Sequence, residues 1–310
     1  CPLELAMTDP ACRRWLMRAS ISTGPTETTL LHRVCEQLRE PAPAAGLAAL
    51  RYRGQTGRPA DGWLAGADPV WLQAGLDKLY VHATSPEDID QPSLHALYED
   101  LQQTLFGAGE IRLDAIGSCG YLRTAAPFAT STMPAEAIDG KRPDAWLPVG
   151  KEAARYLQIN GEIQLALHDH PDKPQREQRG QRPVNGIWLW GGGEAGDDCA
   201  RHLPMLYAND PLLRGYWLCS ESLSGDWPGS FAVCVAANGC DFVAAIPPPA
   251  CGDGMESVFG ALRELQSLQG ERRLQDITLL FHDGRIVRVR RRDRYRFWRR
   301  SKVRLNEKKP

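Results

Sequence analysis

Residues 180–194 read GQRPVNGIWLWGGGE, and this stretch decides the fold that the sequence predicts. A polar lead enters an apolar run that contains Trp188 and Trp190 and stops at the glycines of residues 191–193. The run is continuous rather than alternating, which is typical of a strand buried on both faces in the centre of a parallel sheet. Glycine lets a ligand or another backbone segment approach closely. The stretch therefore predicts a central strand that ends at a binding edge, as in open α/β sheets.

The segments around this strand alternate between helical and extended patterns. Residues 85–107 and 150–168 each place apolar side chains at helical spacing, and the first of them begins with a capping signal. The apolar runs FAVCVAA at 231–237 and CDFVAAI at 240–246 predict two more strands. Residues 276–290 predict a terminal hairpin that turns at an Asp-Gly pair. This alternation predicts an α/β fold with a mixed, mostly parallel sheet flanked by helices.

Element order and charge suggest how the chain is divided. Residues 1–284 are predicted to form one α/β core, in which residues 68–147 could be a small inserted α+β lobe. Residues 285–310 are predicted to form a basic strand and tail, with 13 Lys and Arg against two acids. The net charge of −1 thus divides into +11 in the tail and −12 in the rest. A basic tail on an acidic body could bind the protein itself, an acidic partner or a nucleic acid.

Cysteine usage bears on metal binding and on cellular location. The nine cysteines are scattered singly, and no Cys-x-x-Cys pair is present, so no structural zinc site is predicted. The odd number of cysteines and the lack of a recognisable signal peptide favour reduced thiols in a cytoplasmic protein. No apolar run reaches the length of about 18 residues that a membrane helix needs. A membrane protein is therefore not expected.

A dense polar segment precedes the central strand and holds the candidate ligand groups. Histidine and arginine side chains there could bind an anion such as a phosphate or a carboxylate. The asparagine that follows could orient the loop or donate a hydrogen bond to the ligand. The structural alternative is a loop whose His and Arg side chains satisfy backbone carbonyls, beside a glycine turn that only packs. The predicted ligand-binding residues are His168, His170, Arg176, Arg179, Asn185, Gly191, Gly192 and Gly193.

Motifs for other chemistry are weak. GxxxxGK[ST] does not occur, so no P-loop is predicted, and GxSxG is absent too. The GSCG of residues 117–120 lies in a predicted hairpin, and no catalytic residue is assigned there. The arginine-rich tail is interleaved with aromatic residues and could bind nucleic acid, although Ile286, Val287 and Val289 could instead pack on the core. No metal ligand and no cofactor are predicted.

Five segments are distinctive when taken together: HDHP at 168–171, REQRG at 176–180, PVNGIWLWGGG at 183–193, LYANDPLLRG at 206–215 and RRRDRYRFWRR at 290–300. They resemble the RpfE-type regulatory protein family, whose members are often labelled cofactor-independent phosphoglycerate mutase. A weaker similarity extends to the archaeal-type phosphoglycerate mutases. The resemblance implies their alkaline-phosphatase-like scaffold and a small phosphorylated or anionic ligand.

The chain departs from that superfamily where the superfamily binds metal. Its reaction transfers a phosphoryl group to Ser or Thr between two metal ions held by Asp and His. Where an Asp-x-x-x-His motif is expected, residues 248–252 read PPACG, and near the second expected pair only His282 and Asp283 occur. The family's HPVN reads HPDK at 170–173. We therefore expect a fold that is retained without its catalytic metals.

The sequence yields one main hypothesis and two alternatives. The main hypothesis is a non-catalytic, cytoplasmic regulatory protein, a bacterial pseudoenzyme that binds a small anionic ligand or a protein partner. The first alternative is an enzyme of the phosphoglycerate mutase or phosphatase type. The second is a nucleic-acid-binding protein that uses the basic tail.

Overall fold

The computed structural model describes residues 2–76, 78–84, 88–196, 199–200, 202–239, 241–248 and 255–295. The helices are α1 (Leu3–Ala6), α2 (Pro10–Leu16), α3 (Leu30–Leu38), α4 (Leu47–Thr56), α5 (Gln91–Leu101), α6 (Ala153–His168), α7 (Asp172–Gln178), α8 (Pro211–Cys219), α9 (Phe231–Ala237) and α10 (Glu256–Gly270). The strands are β1 (Ser20–Thr23), β2 (Leu64–Ala74), β3 (Leu79–Ala83), β4 (Arg112–Ile116), β5 (Cys119–Arg123), β6 (Gly186–Gly193), β7 (Met205–Ala208), β8 (Ser224–Gly225), β9 (Phe242–Ala245), β10 (Asp276–Leu280) and β11 (Arg285–Arg290). No helix in these ranges is both long and apolar enough to cross a membrane.

The chain divides into two compact units whose boundaries differ from the predicted ones. The first unit combines Cys1–Thr26 with Gly225–Pro310, and the second is Glu27–Ser224. The predicted lobe at 68–147 lies inside the second unit and contains β3, β4, β5 and most of β2. Hydrophobic patterning could not reveal this division, because it reports local periodicity and not which distant segments pair.

The sheet of the second unit is organised around β2. Strand β6 lies along one edge of β2, and β5 and then β3 lie along the other. Strand β4 pairs with β5 and completes the sheet. All four of these ladders are antiparallel, and a parallel bridge joins Ser131 to Trp190. The architecture is therefore α/β with a mixed sheet, as predicted, but the expectation of mostly parallel strands is wrong.

The physical reason lies in what covers β6. Its residues from Gly186 to Gly191 are all buried, as the continuous apolar run predicts. Helix α6 packs on the face that carries Ile187 and Leu189, and α4 contacts the strand near Trp190. Burial on both faces produces the apolar run whatever the direction of the neighbouring strands, so the run could not fix that direction.

The second unit confirms most of the predicted local elements. Helix α5 is capped by Asp90, whose carboxylate accepts a hydrogen bond from Ser93 N at 2.8 Å. Helix α6 places Tyr156, Ile159 and Ile163 in the core, at the predicted helical spacing. Helix α7 lies where a loop was expected, in the polar segment before β6.

The first unit contains a three-stranded antiparallel sheet in which β11 is central. Strand β1 pairs with one edge of β11 and β10 with the other. Val287 and Val289 are buried in the core of this unit, as the packing interpretation of the basic segment predicts. Residues 296–310 of the tail lie outside the described residues. Nucleic-acid binding through the tail stays a prediction.

The run FAVCVAA forms helix α9, so the prediction of a strand there is wrong. Ser230 caps the helix, and its hydroxyl accepts a hydrogen bond from Ala232 N at 3.2 Å. The carboxylate of Glu264 accepts further hydrogen bonds from Phe231 N and Ala232 N, at 2.9 and 3.0 Å. A seven-residue apolar run is ambiguous in period, and the cap decides in favour of the helix. The strand predicted at residues 240–246 is confirmed by β9.

Two cysteines depart from the expectation of reduced thiols. Cys199 and Cys219 form a disulfide with their Cα atoms 6.0 Å apart. It joins the segment after β6 to the last residue of α8. Cys12, Cys35, Cys119 and Cys234 are free. No motif points to this pair, because the two positions are 20 residues apart and belong to no recognisable pattern.

Candidate functional site

Asn185 stands at the entry of β6 and pairs with the main chain of β2. Its Oδ1 accepts a hydrogen bond from Leu72 N at 2.6 Å, and its Nδ2 donates to Leu72 O at 2.9 Å. Its own N donates to Val70 O at 3.2 Å. The side chain thus extends the ladder between β2 and β6 by one more pair of hydrogen bonds. Its predicted role in orienting the loop fits this geometry, whereas a ligand would have to share the amide with Leu72.

We expect Asn185→Ala to lower the free energy of unfolding by about 2 kcal/mol, because two hydrogen bonds are lost and Leu72 loses its partners. Asn185→Asp should also destabilise, since the second carboxylate oxygen would face Leu72 O. Urea unfolding monitored by circular dichroism measures both changes. Asn238→Ala, at a half-buried position in the other unit, is the control. An unchanged urea midpoint in Asn185→Ala would show that the side chain does not hold the strand entry.

Arg176 and Arg179 have different surroundings, although both lie at the end of the polar segment. Arg176 is buried, and its guanidinium donates to Asp88 O at 2.9 Å and to Arg182 O at 3.1 and 3.2 Å. It holds backbone carbonyls, which is the structural alternative that the sequence left open. Arg179 is exposed, and its charge helps to lower the pKa of Asp90 after the hydrogen bonds from Ser93. Of the two, Arg179 is the one available to an anion.

The two histidines also differ. His168 ends α6 with a side chain 71% exposed and its Nε2 4.0 Å from Asp169 Oδ1. His170 is largely enclosed, and its Nε2 lies 3.3 Å from Asp100 Oδ2. An acidic partner occupies the position that an anionic ligand would need beside His170.

The glycine turn packs against protein along its length. Gly191 N donates to Ser131 O at 2.8 Å, and Gly192 N donates to Thr130 Oγ1 at 2.9 Å. A Cβ at Gly191 would lie 3.1 Å from Ala48 N, and one at Gly192 would lie 2.6 Å from the Trp63 ring. The backbone N–H groups of Gly191 and Gly192 are therefore bonded within the protein, which fits the alternative of a glycine turn that only packs. Gly193, with φ of 152°, packs against the backbone of residue 46.

The predicted ligand residues do not meet in one place. Asn185 precedes β6, whereas Gly191 is six residues further along the same extended strand. At about 3.3 Å per residue these positions are roughly 20 Å apart. The helix-side residues belong to the entry of the strand, because the buried guanidinium of Arg176 holds Arg182 O just before it. Ligand binding by Arg179 or His168 stays a prediction.

A buried polar network that the sequence analysis missed lies beside the exit of β6. Arg51 of α4 donates to both carboxylate oxygens of Asp68 on β2, at 2.9 and 2.7 Å. Trp190 Nε1 donates to Asp68 Oδ2 at 2.6 Å. The Arg51 guanidinium also donates to Gly120 O at 2.8 Å and to Tyr121 OH at 3.2 Å. A lone Asp within the apolar strand pattern of residues 64–72 was the available signal, because a buried carboxylate needs a partner.

The two charged side chains of this network, Arg51 and Asp68, are largely enclosed by protein. The Arg51 side chain is 6% exposed and that of Asp68 15%. Burial opposes the charge of Arg51, but the Asp68 carboxylate, together with Cys119 and Tyr121, outweighs burial and raises the pKa of the guanidinium. The ring of Tyr121 lies 4.7 Å below the guanidinium carbon and that of Trp190 4.9 Å. Burial raises the pKa of the Cys119 thiol, so a thiolate nucleophile is disfavoured there.

Two further carboxyl groups interact electrostatically with this network. Glu136, on the short 3₁₀ helix Ala135–Ile138, has a raised pKa, because the surrounding protein and then the charge of Asp68 disfavour its ionised form. Asp210 adds to this effect and Arg51 opposes it. The Glu136 side chain nevertheless reaches solvent, so water screens part of the shift and can exchange protons with the carboxyl. Glu136 is thus an exposed carboxyl group whose pKa is raised toward neutral pH.

The metal chemistry implied by the resemblance can be tested on the donor groups present. No set of three or more His, Cys, Asp or Glu side chains in the described part of the chain is placed to hold a metal ion. Residues 249–252 of the segment that replaces the expected metal motif lie outside that part. The described residues therefore do not fit a two-metal centre, and we derive no step through one.

Comparison with known proteins gives a partial match. No protein-family model matches the chain. Over 79 residues it is 37% identical to a probable 2,3-bisphosphoglycerate-independent phosphoglycerate mutase of Geobacter sulfurreducens. The matched residues make up 26% of this chain and 18% of the relative. Part of this chain is phosphoglycerate mutase-like. Over 66 residues it is 35% identical to the 2,3-bisphosphoglycerate-independent phosphoglycerate mutase of Methanosarcina barkeri, covering 21% of this chain and 17% of that protein.

The matched segment is thus a small part both of this chain and of its relatives. The chain spans less than a fifth of the length of either relative. Two solved structures overlap most of the chain at low similarity. The PH0037 protein from Pyrococcus horikoshii has a TM-score of 0.47 at 11% identity and covers 89% of this chain and 78% of its own. The cofactor-independent phosphoglycerate mutase from Thermoplasma acidophilum has a TM-score of 0.38 at 15% identity, with 89% and 80% covered. Assignment to the RpfE type stays a prediction.

Proposed function

We propose that this protein is a phosphoglycerate mutase-type enzyme that acts on a small phosphorylated carboxylate. The observation that carries the proposal is the 37% identity over 79 residues to a probable phosphoglycerate mutase. The names of the relatives describe an isomerase that works independently of 2,3-bisphosphoglycerate. For this chain, whose match covers about a quarter of its length, the activity is our inference.

The exit of β6 offers the best placed groups for such a reaction. Moving a phosphoryl group between two hydroxyls requires that one hydroxyl lose a proton and the other gain one. Glu136 is accessible to solvent, and its raised pKa brings it nearer to neutral pH, where a carboxyl group can both accept and donate a proton. The buried Arg51–Asp68 pair would fix the neighbouring backbone of β5. We therefore assign proton transfer to Glu136.

The test is isomerisation by the purified full chain. The protein is incubated with 3-phosphoglycerate, with and without Mg²⁺ or Mn²⁺, and the phosphorus resonances of the two isomers are followed by NMR. We expect the 2-phospho isomer to appear, and Glu136→Gln to slow its formation at least tenfold. Glu152→Gln, at an exposed position on another short helix, should leave the rate unchanged.

The other outcomes separate the remaining hypotheses. Saturable binding of 3-phosphoglycerate without isomerisation would contradict the enzyme and favour the non-catalytic regulatory protein. Neither binding nor isomerisation would contradict both and would direct attention to protein partners. Isomerisation that is unaffected by Glu136→Gln would retain the enzyme and overturn the role of this residue.

A further inference from the structure

The solvent side of α6 carries an apolar strip that no described segment covers. Leu157 and Leu165 lie about two turns apart, with side chains 58% and 72% exposed. Together with Val149, just before the helix, they are among the five most exposed large apolar side chains of the described residues. A Cβ at Gly161, midway between the two leucines, would have no other part of the described chain within 4 Å. The strip is therefore open to another molecule.

This strip is separate from the face of α6 that packs on the core. A surface helix normally has one apolar stripe, directed at the core, and polar residues on the opposite side. The core stripe of α6 contains Tyr156, Ile159 and Ile163. A second apolar stripe on the solvent side is typical of a helix that also packs on a partner molecule. The members of the second stripe are Ala154, Leu157, Gly161 and Leu165, at spacings of three and four residues.

The strip is complementary to a second copy of itself in the antiparallel orientation. Leu157 lies four residues before Gly161, and Leu165 lies four residues after it. With a two-fold axis beside Gly161, Leu157 of each copy is therefore level with Leu165 of the other. The leucines can then interdigitate over a centre that carries no side chain.

The charges at the two ends of α6 favour the same orientation. The exposed Lys151 lies ten residues before Gly161, and the exposed Asp169 lies eight residues after it. At 1.5 Å per residue they are roughly 15 and 12 Å from the centre, so in the antiparallel pair each lysine lies close to the aspartate of the other copy. His168 Nε2 is 4.0 Å from Asp169 Oδ1, beyond hydrogen-bond distance, so this carboxylate can accept from the lysine. A parallel pair would bring like charges together.

We propose that α6 forms an antiparallel, two-fold symmetric interface with α6 of a second copy of this chain. Helix α6 has 16 residues and is about 24 Å long, so one helix pair buries less than the roughly 800 Å² per partner of a standard interface. The dimer should therefore be reversible, with a dissociation constant in the micromolar range. The strip does not include Glu136, so this proposal and the proposed function can each fail without the other.

Sedimentation velocity of the full chain, from low to high micromolar concentration, measures the association. The wild type should shift from monomer to dimer as its concentration rises. Leu157→Gln and Leu165→Gln should each weaken the association roughly tenfold, because each residue is used twice in a symmetric interface. Both side chains are exposed, so these variants should fold normally. Leu223→Gln, at an exposed apolar position outside α6, is the matched control and should leave the dissociation constant unchanged.

An exchange of charges tests the orientation of the two helices. Lys151→Glu and Asp169→Lys should each weaken the association about three- to tenfold, since exposed ion pairs contribute modestly and each pair occurs twice. The double variant, with both substitutions, should return to the dissociation constant of the wild type, because the pair is restored with its charges reversed.

Three results would overturn the proposal. A folded wild type that stays monomeric at every concentration would leave the strip to a different protein. Association that persists unchanged in both leucine variants would place the interface on another surface. A double charge variant as weak as the single ones would contradict the antiparallel arrangement.

Discussion

Arg51→Ala is expected to lower the free energy of unfolding of the second unit by about 3–5 kcal/mol, because it leaves the Asp68 carboxylate buried without its cation. The variant also removes the hydrogen bonds to Gly120 O and Tyr121 OH, which connect α4 to β5. The carboxylate keeps Trp190 Nε1 as a donor, which moderates the cost.

Urea unfolding of the full chain measures this effect, and Arg155→Ala is the matched control. Arg155 is an exposed helical arginine in the same unit, and it bonds only locally, to Gln158 at 3.1 Å. The control should change the free energy of unfolding by less than about 0.5 kcal/mol. Equal losses in the two variants would show that the buried pair has no special weight.

Replacing Gly215 with alanine should cost about 3 kcal/mol, because α8 and α4 approach each other through glycines. A Cβ at Gly215 would overlap the carbonyl oxygen of Leu50, and a Cβ at Gly54 would overlap that of Pro211. Backbone atoms cannot move aside as the end of a flexible side chain can. The two helices would have to separate, and their contact would be lost.

Gly161→Ala is a control in which the expected change in stability has the opposite sign. Gly161 lies in the interior of α6, and nothing stands within 4 Å of the position that its Cβ would take. Alanine there should stabilise by about 0.5–1 kcal/mol, since glycine loses more conformational freedom in a helix. Thermal unfolding of both variants tests the pair. If Gly215→Ala also stabilises, the close approach of the two helices is contradicted.

Local elements could be predicted from the sequence wherever a period and a punctuating residue agree. The stripe of α6 and the Asp-Gly turn between β10 and β11 each depend on neighbouring residues only. FAVCVAA lacked a decisive period, and its cap depends on Glu264, which lies more than 25 residues further along the chain. Strand direction depends on connections that no local pattern reports.

The candidate site was harder to predict for a related reason. Arginine and asparagine side chains serve backbone groups as readily as ligands, and Arg176 and Asn185 do so here. The sequence correctly left that alternative open for Arg176. Arg51 and Asp68 are 17 residues apart along the chain, and Asp68 and Trp190 are 122 apart. Their hydrogen bonds follow from the folded sheet and could not be predicted from a spacing in the sequence.

The pairing of β1 with β11 has a consequence for synthesis of the chain. Ser20 lies opposite Arg288, so the sheet of the first unit cannot close until β11 has left the ribosome. The second unit is continuous and can fold earlier, because domains fold as units while the chain emerges from its N-terminus. Until then the chain exposes Leu3, Trp15 and Leu16, which are buried in the completed unit. That interval is when the nascent protein is most exposed to aggregation and to capture by chaperones.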